Sequence, residues 1–283
     1  MGYRAIIKVV LTVAVCCSLN SCETVDLRGM LISYESVNSR FEQSMEWNSI
    51  HSYKELVVPL DEYSIFAMSD SHVGGTQNLE TFFDNAISAN AIAAVMAGDI
   101  TSGQADDYEV FEQHLPDPGT IDFFPLVGNH DLYFNGWEQF YPRFGSSIYM
   151  FSVRTPLATD LFICLDTGSG TLGSKQLDWL REILESERPE YRRCIIFTHN
   201  NLFRFRRTTS TNPLVEELHV LMELLFENNV DLFITGHDHQ KDAEILGNTI
   251  FIVLDALKDG YIDAGYMELQ ITGGIIDYSF INL

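Results

Sequence analysis

Short apolar runs recur along the chain and alternate with stretches that mix apolar and polar residues. Tyr63 to Met68, Ala91 to Ala97 and Ile121 to Val127 are continuous enough to predict buried strands. Between them, Gln77 to Ser88 and Ala105 to Leu115 read as helices. After Asp131 two strand-like runs, Ile148 to Val153 and Asp160 to Leu165, follow each other directly, which predicts an antiparallel pair. A helix with Leu177, Leu180 and Leu184 on one face comes next, then a strand from Arg193 to Thr198. Asn212 and Pro213 supply an N-cap and a first-turn proline for a helix striped by Leu214, Leu218, Leu221 and Leu225. Val230 to Thr235, Thr249 to Leu254, Gly265 to Ile271 and Ile275 to Ile281 are the remaining strands, the last two joined by a turn at Gly273-Gly274. Strands alternating with helices predict an α/β architecture. No repeat or linker follows residue 60, so residues 61–283 read as one domain. Residues 22–60 lack a clean period and read as a tether plus a segment packed on the core.

The extreme N-terminus differs from the rest. Arg4 and Lys8 lead into Val9 to Cys17, an apolar core too short to span a bilayer but suited to a secretion signal. Leu19-Asn20-Ser21-Cys22 then resembles a bacterial lipobox, with Cys22 as the lipidated residue. This predicts a signal peptide over residues 1–21 and an exported protein, anchored through lipid on Cys22 to the bacterial cell envelope. Ordinary signal cleavage nearby or an N-terminal anchor helix are the alternatives. The chain carries 40 acidic against 17 basic residues, a net charge of −23, and such a surface repels nucleic-acid phosphates. No nucleic-acid partner is expected. Cys164 and Cys194 lie in apolar runs and read as separate buried thiols, with no zinc pattern among the cysteines.

Polar clusters follow five of the strand runs: Asp70-Ser71-His72, Gly98-Asp99, Gly128-Asn129-His130-Asp131, Thr198-His199-Asn200 and Gly236-His237-Asp238-His239. The carboxyl ends of strands are where α/β sheets bind ligands. Asp-x-His and His-x-His spacing would put two side chains on one side of an extended segment, so that both grip one ion. Carboxylate, amide oxygen and imidazole without thiolate suit Mn, Fe, Zn or Ni. His51, His114 and His219 fall outside these clusters and read as ordinary core or surface residues.

The ordered set D-x-H, G-D, G-N-H-D, H and G-H-x-H resembles the calcineurin-like metallophosphoesterase superfamily, from about Tyr63 to the C-terminus. Stretches such as Leu161 to Asp166 and Gln176 to Leu180 are similar to its branch of cyclic-nucleotide phosphodiesterases and purple acid phosphatases. The resemblance implies a four-layer α/β/β/α sandwich of two mixed sheets flanked by helices. It implies two divalent metal ions, one held by Asp70, His72 and His239 and the other by Asn129, His199 and His237, with Asp99 bridging them. Two such ions share a hydroxide for in-line attack on a phosphate mono- or diester. His130 would act at the leaving group, with Asp131 or Asp166 to orient or charge it. The protein phosphatase signature G-D-x-V-D-R-G is absent, and Ser102 stands where purple acid phosphatases carry a tyrosine ligand. The family's H-x-P reads His199-Asn200-Asn201 here. Close after it, Arg204, Arg206 and Arg207 are candidate substrate contacts, with an ordinary solvated loop as the alternative. Two rival readings stand beside the phosphoesterase: a nuclease of the same fold, and a non-catalytic surface binding protein on a phosphoesterase scaffold.

Overall fold

The computed structural model describes residues 34–73, 75–201 and 215–283. Among these, five strands form one mixed sheet. Its members are β2 (Glu62–Met68), β3 (Ala93–Ala97), β4 (Asp122–Leu126), β11 (Gly265–Thr272) and β12 (Ile275–Asn282), in the order β12-β11-β2-β3-β4. A second, seven-stranded sheet holds β1 (Lys54–Val57), β5 (Tyr149–Arg154), β6 (Thr159–Cys164), β7 (Cys194–Phe197), β8 (Leu232–Thr235), β9 (Asp242–Leu246) and β10 (Thr249–Val253), ordered β1-β5-β6-β7-β8-β10-β9.

The sheets stack because their central strands are apolar on both faces. Ile65 and Ala67 of β2 face the other sheet, joined by Phe124 and Leu126 of β4 and by Phe151, Phe162 and Ile195 from the opposite side. Phe124 stacks on Phe151 with ring centroids 3.8 Å apart, and Phe151 on Phe162 at 4.7 Å. The alternate residues Phe66, Met68, Ala94 and Met96 point outward into α2 (Gln77–Ser88), α3 (Ala105–Gln113) and α4 (Trp137–Phe144). On the far side, Leu161, Ile163, Ile196 and Phe233 meet α5 (Gly173–Glu182) and α6 (Val215–Glu227). Each fully buried large apolar side chain contributes about 1.5–3 kcal/mol. The result is the four-layer α/β/β/α sandwich.

Parallel pairing of β2, β3 and β4 in one sheet, and of β7 and β8 in the other, sends five carboxyl ends to the same end of the sandwich. The antiparallel pairs expected for β5–β6 and β11–β12 are present, as are free, buried Cys164 and Cys194. The described part of the N-terminal segment, from residue 34, packs on the core. Val37–Ile50 is a helix, α1, capped by the Ser36 hydroxyl accepting from Ser39 N–H, and β1 extends the larger sheet beside β5. The buried residues of α1 are Val37, Arg40 and Ser44, so its inner face carries no apolar stripe to read. Cys22, the proposed signal, the cap at Asn212-Pro213, Leu214, and Arg204, Arg206 and Arg207 all lie outside the described residues. No helix among the described residues is long and apolar enough to cross a membrane.

Candidate metal centre

All five clusters meet at that one end. Backbone hydrogen bonds tie them: Asp70 N–H donates to Gly98 O at 3.0 Å and His72 N–H to Asp99 O at 3.0 Å. Gly236 N–H donates to His199 O at 2.9 Å, and His237 N–H reaches across to Asp70 Oδ2 at 2.8 Å. The crossing is tight enough to require glycine. A Cβ on Gly236 would lie 1.7 Å from Ser69 Oγ, and one on Gly128 would lie 2.1 Å from Asp99 Oδ1.

The side chains do not converge by the alternation of extended residues. Asp70, His72, Asp99, His237 and His239 all have positive φ, between 41° and 72°. Left-handed residues after β2, β3 and β8 swing both members of D-x-H and of H-x-H inward, at a cost of order 1–3 kcal/mol per strained residue. That correction leaves the membership of the cluster unchanged.

Three overlapping donor groups result; two share no residue, and the third, His72, Asp99 and His130, straddles them. Asp70 Oδ1 lies 3.1 Å from His239 Nε2 and 3.6 Å from His72 Nε2, and the two Nε2 atoms are 3.2 Å apart. Asp99 Oδ2 lies 3.2 Å from His199 Nε2, which is 3.3 Å from His237 Nδ1. Asp99 Oδ2 is also 3.8 Å from His72 Nε2, so this carboxylate joins the two groups. Bonds of about 2.0–2.2 Å to a shared cation place donor atoms roughly 2.8–3.6 Å apart. The observed spacings match, and Asp70-His72-His239 and Asp99-His199-His237 each form a set able to hold an ion.

Asn129 offers an independent test of fit. Its Nδ2 donates to Tyr133 Oη at 2.9 Å, whereas its buried Oδ1 has no hydrogen-bond partner. A buried amide oxygen left so costs about 1–3 kcal/mol unless a cation takes it. His199 Nδ1 sits 2.9 Å from Ala97 O and donates to it, which leaves Nε2 as the free donor toward an ion.

The charges agree. Asp70 and Asp99 are buried, and among the described residues they face histidines and no Lys or Arg. Burial alone would raise Asp99, yet His199, His130 and His72 hold it well below the usual carboxylate range. Asp70 is likewise lowered, by His199, His239 and His72 against burial. Burial would lower His199, but Asp99 and Asp70 push it up to about 10. His72 is also raised: burial opposes it, Asp70 and Asp99 prevail, and the Lys258 ammonium pulls the other way. Two buried anions surrounded by imidazoles form a setting that favours cations.

His130 stands beside the donors. Its N–H donates to Asp99 Oδ1 at 2.7 Å, and its ring lies 4.5 Å from that of His72 and 4.5 Å from that of Tyr133. Burial keeps its pKa below the ordinary histidine value, over the opposing charge of Asp99. Asp131 is engaged with the backbone of neighbouring loops. The buried Asp131 carboxylate accepts from Gly128 N at 2.8 Å, Thr101 N at 2.8 Å, Thr101 Oγ1 at 3.0 Å and Ile100 N at 3.3 Å, so it pins two ligand loops together. Asp166 is engaged as well, in a fork with Arg40. Ser69, whose hydroxyl donates to Asp70 Oδ2, and the Arg40–Asp166 pair carry no local sequence signal and emerge only in the fold.

A two-sheet α/β sandwich with a carboxylate–imidazole cluster sized for two cations is the class these features define. The chain belongs to the calcineurin-like phosphoesterase family, whose model matches residues 63–241. No curated protein matches its sequence. Among solved structures it is similar to a dimetal phosphatase from Danio rerio, with a TM-score of 0.64, 13% identity and coverage of 80% of this chain and 97% of that one. GAP50, the anchor in the inner membrane complex of Plasmodium, gives a TM-score of 0.63 at 14% identity, covering 78% and 84%. A putative 5'-nucleotidase from Staphylococcus aureus gives 0.51 at 16%, covering 78% of this chain and 53% of that one. At these identities the likeness is one of fold.

Proposed function

We propose that the protein is a dinuclear-metal phosphoesterase hydrolysing phosphate mono- or diesters. The observation that carries this reading is the paired donor sets joined through Asp99, with the unpartnered Asn129 Oδ1 on the loop whose next residue bonds Asp99. Asp70, His72 and His239 would hold one divalent ion and Asn129, His199 and His237 the other, with Asp99 shared. Such ions supply Lewis acidity toward a phosphoryl group and a nucleophile at neutral pH. The chain's own residues do the rest. His199 is locked in one tautomer by Ala97 O, and Asp131 fixes the spacing of the β3 and β4 loops. His130, held on Asp99 by its backbone N–H and kept neutral by burial, would set its ring beside the leaving-group oxygen and stabilise the charge that develops there by hydrogen bonding. Membership of the family and a dimetal phosphatase among the structural neighbours support the reading. The acidic surface argues against a nuclease. Export and lipid attachment at Cys22 complete the proposal, on the strength of the lipobox-like sequence.

The test combines metal analysis with turnover of 4-nitrophenyl phosphate and its diester. Chelated protein should be inactive and recover with Mn. Asp99→Asn should lose both bound metal and rate, whereas His130→Ala should keep its metal and lose about two to four orders of magnitude in rate. Full metal content with no turnover of any phosphate ester in the wild type would leave only a binding protein on this scaffold.

A further inference from the structure

The rim of the metal centre contains a cation that the fold itself does not use. Among the described residues, every Arg and every other Lys forms an ion pair with a carboxylate, and Lys258 alone has none. In a chain where acidic residues outnumber basic ones 40 to 17, an exposed ammonium without a carboxylate is unexpected. Its position explains why. Ala256 bridges Ser69, the residue before Asp70, and Leu257 N–H donates to Ser69 O at 2.9 Å. Lys258 is therefore the first exposed residue after the stretch that bridges Ser69, and its charge is felt at His72.

The loop that follows is built to hold a shape. Asp259 accepts from the N–H groups of Gln77 and Asn78 at 3.1 and 2.8 Å, and Asn78 Nδ2 donates to the carbonyls of Leu257 and Lys258. The neighbouring carboxylate is thus engaged with the start of α2 and is not aimed at the lysine. Tyr261 returns to the centre: its hydroxyl donates to His239 O at 3.1 Å and its ring lies 6.0 Å from the His239 ring at 83°. Tyr261 remains 39% exposed and Ile262 91% exposed. A cation, an aromatic face and an aliphatic side chain thus sit on one pinned loop, tied beside Asp70 through Leu257 and to His239 through Tyr261.

We propose that this loop is the substrate-recognition rim: Lys258 binds a non-bridging phosphate oxygen, and Tyr261 with Ile262 receives a planar or apolar alcohol portion. The site then prefers aromatic phosphate esters to small polar ones such as glycerol phosphate. The proposal deepens the phosphoesterase reading and rests on it for the identity of the anion.

The test uses the full chain loaded with Mn, with Lys258→Gln, Lys258→Arg and Tyr261→Leu. Each is measured for kcat and KM on 4-nitrophenyl phosphate and glycerol phosphate, and for the affinity of inorganic phosphate by calorimetry. A charge-assisted hydrogen bond corresponds to roughly a tenfold or larger change in affinity. Lys258→Gln should therefore raise KM and weaken phosphate binding about tenfold with kcat nearly unchanged, and Lys258→Arg should restore both. Tyr261→Leu, which also loses the hydroxyl's bond to His239 O, should raise KM for the aromatic ester several-fold more than that for glycerol phosphate, and an equal change for both would remove the aromatic subsite. Phosphate affinity and KM unchanged in Lys258→Gln, in an enzyme that turns over, would overturn the rim and leave the phosphoesterase reading intact. Lys258-dependent phosphate binding without turnover in the wild type would do the reverse. A wild type that neither binds phosphate nor hydrolyses its esters would overturn both.

Discussion

Replacing Arg40 by methionine tests whether α1 belongs to the architecture of the metal centre. Arg40 and Asp166 are both wholly buried, with Arg40 Nε donating to Asp166 Oδ2 at 2.6 Å and Nη2 to Oδ1 at 3.1 Å. Arg40 Nη1 and Nη2 also donate to Glu35 O at 2.9 Å and Ser169 Oγ at 3.0 Å, and the guanidinium lies 5.9 Å from the Trp137 ring centroid. Asp166 opens a turn that wedges between two ligand loops. Its Oδ1 accepts Gly168 N–H at 2.9 Å, and Gly168 packs so closely on Gly128 that a Cβ would meet Gly128 O at 2.7 Å. Thr167 Oγ1 lies 2.8 Å from Thr198 Oγ1 and accepts Asn200 N–H at 2.8 Å. The turn thus touches the loops that carry Asn129 and His199.

Removing one member of a buried ion pair leaves an uncompensated charge and costs about 3–5 kcal/mol. For a domain of this size each kcal/mol moves the midpoint by about 2–4 °C, so Arg40→Met should melt roughly 6–20 °C lower. Trp137, beside the pair, reports urea unfolding by fluorescence. Adding Asp166→Asn removes the stranded charge, so the double variant should be more stable than Arg40→Met alone, with a coupling energy of about 0.5–3 kcal/mol. Arg40→Met within about 1 kcal/mol of wild type, or a double variant showing simple additivity, would refute the reasoning.

Two further outcomes are expected. Gly236→Ala forces a methyl onto Ser69 Oγ and Asp70 Oδ2, so metal analysis should show loss of occupancy, with stability lowered by about 1–3 kcal/mol; full occupancy would mean that these loops yield. Cys22→Ser should abolish palmitate labelling and release the protein from the membrane fraction, and continued labelling would discard the lipid anchor.

Much of the architecture is legible because strands buried on both faces must be apolar throughout. Ala93 to Ala97 and Cys194 to Phe197 have no residue exposed, so their sequence leaves little else for them to be. The exceptions follow from the same cause. Helix α1 hides an arginine and a serine, β1 buries only Leu56, and β9 is exposed along nearly its whole length, so none offers a hydrophobic period.

By itself, then, the order of residues determined the α/β class, the separate buried thiols and the five polar clusters, because burial and strand ends leave their mark in composition. Only the tertiary structure decided how those clusters meet. Asp70 and His239 are far apart in sequence, and their approach to 3.1 Å depends on left-handed turns, on glycines admitted at close contacts and on hydrogen bonds between different strands. The partners of Asp131 and Asp166, and the lack of an ion pair at Lys258 among the described residues, are likewise properties of packing. A carboxylate's neighbours are set by which loops the fold brings against it, and no local pattern records them.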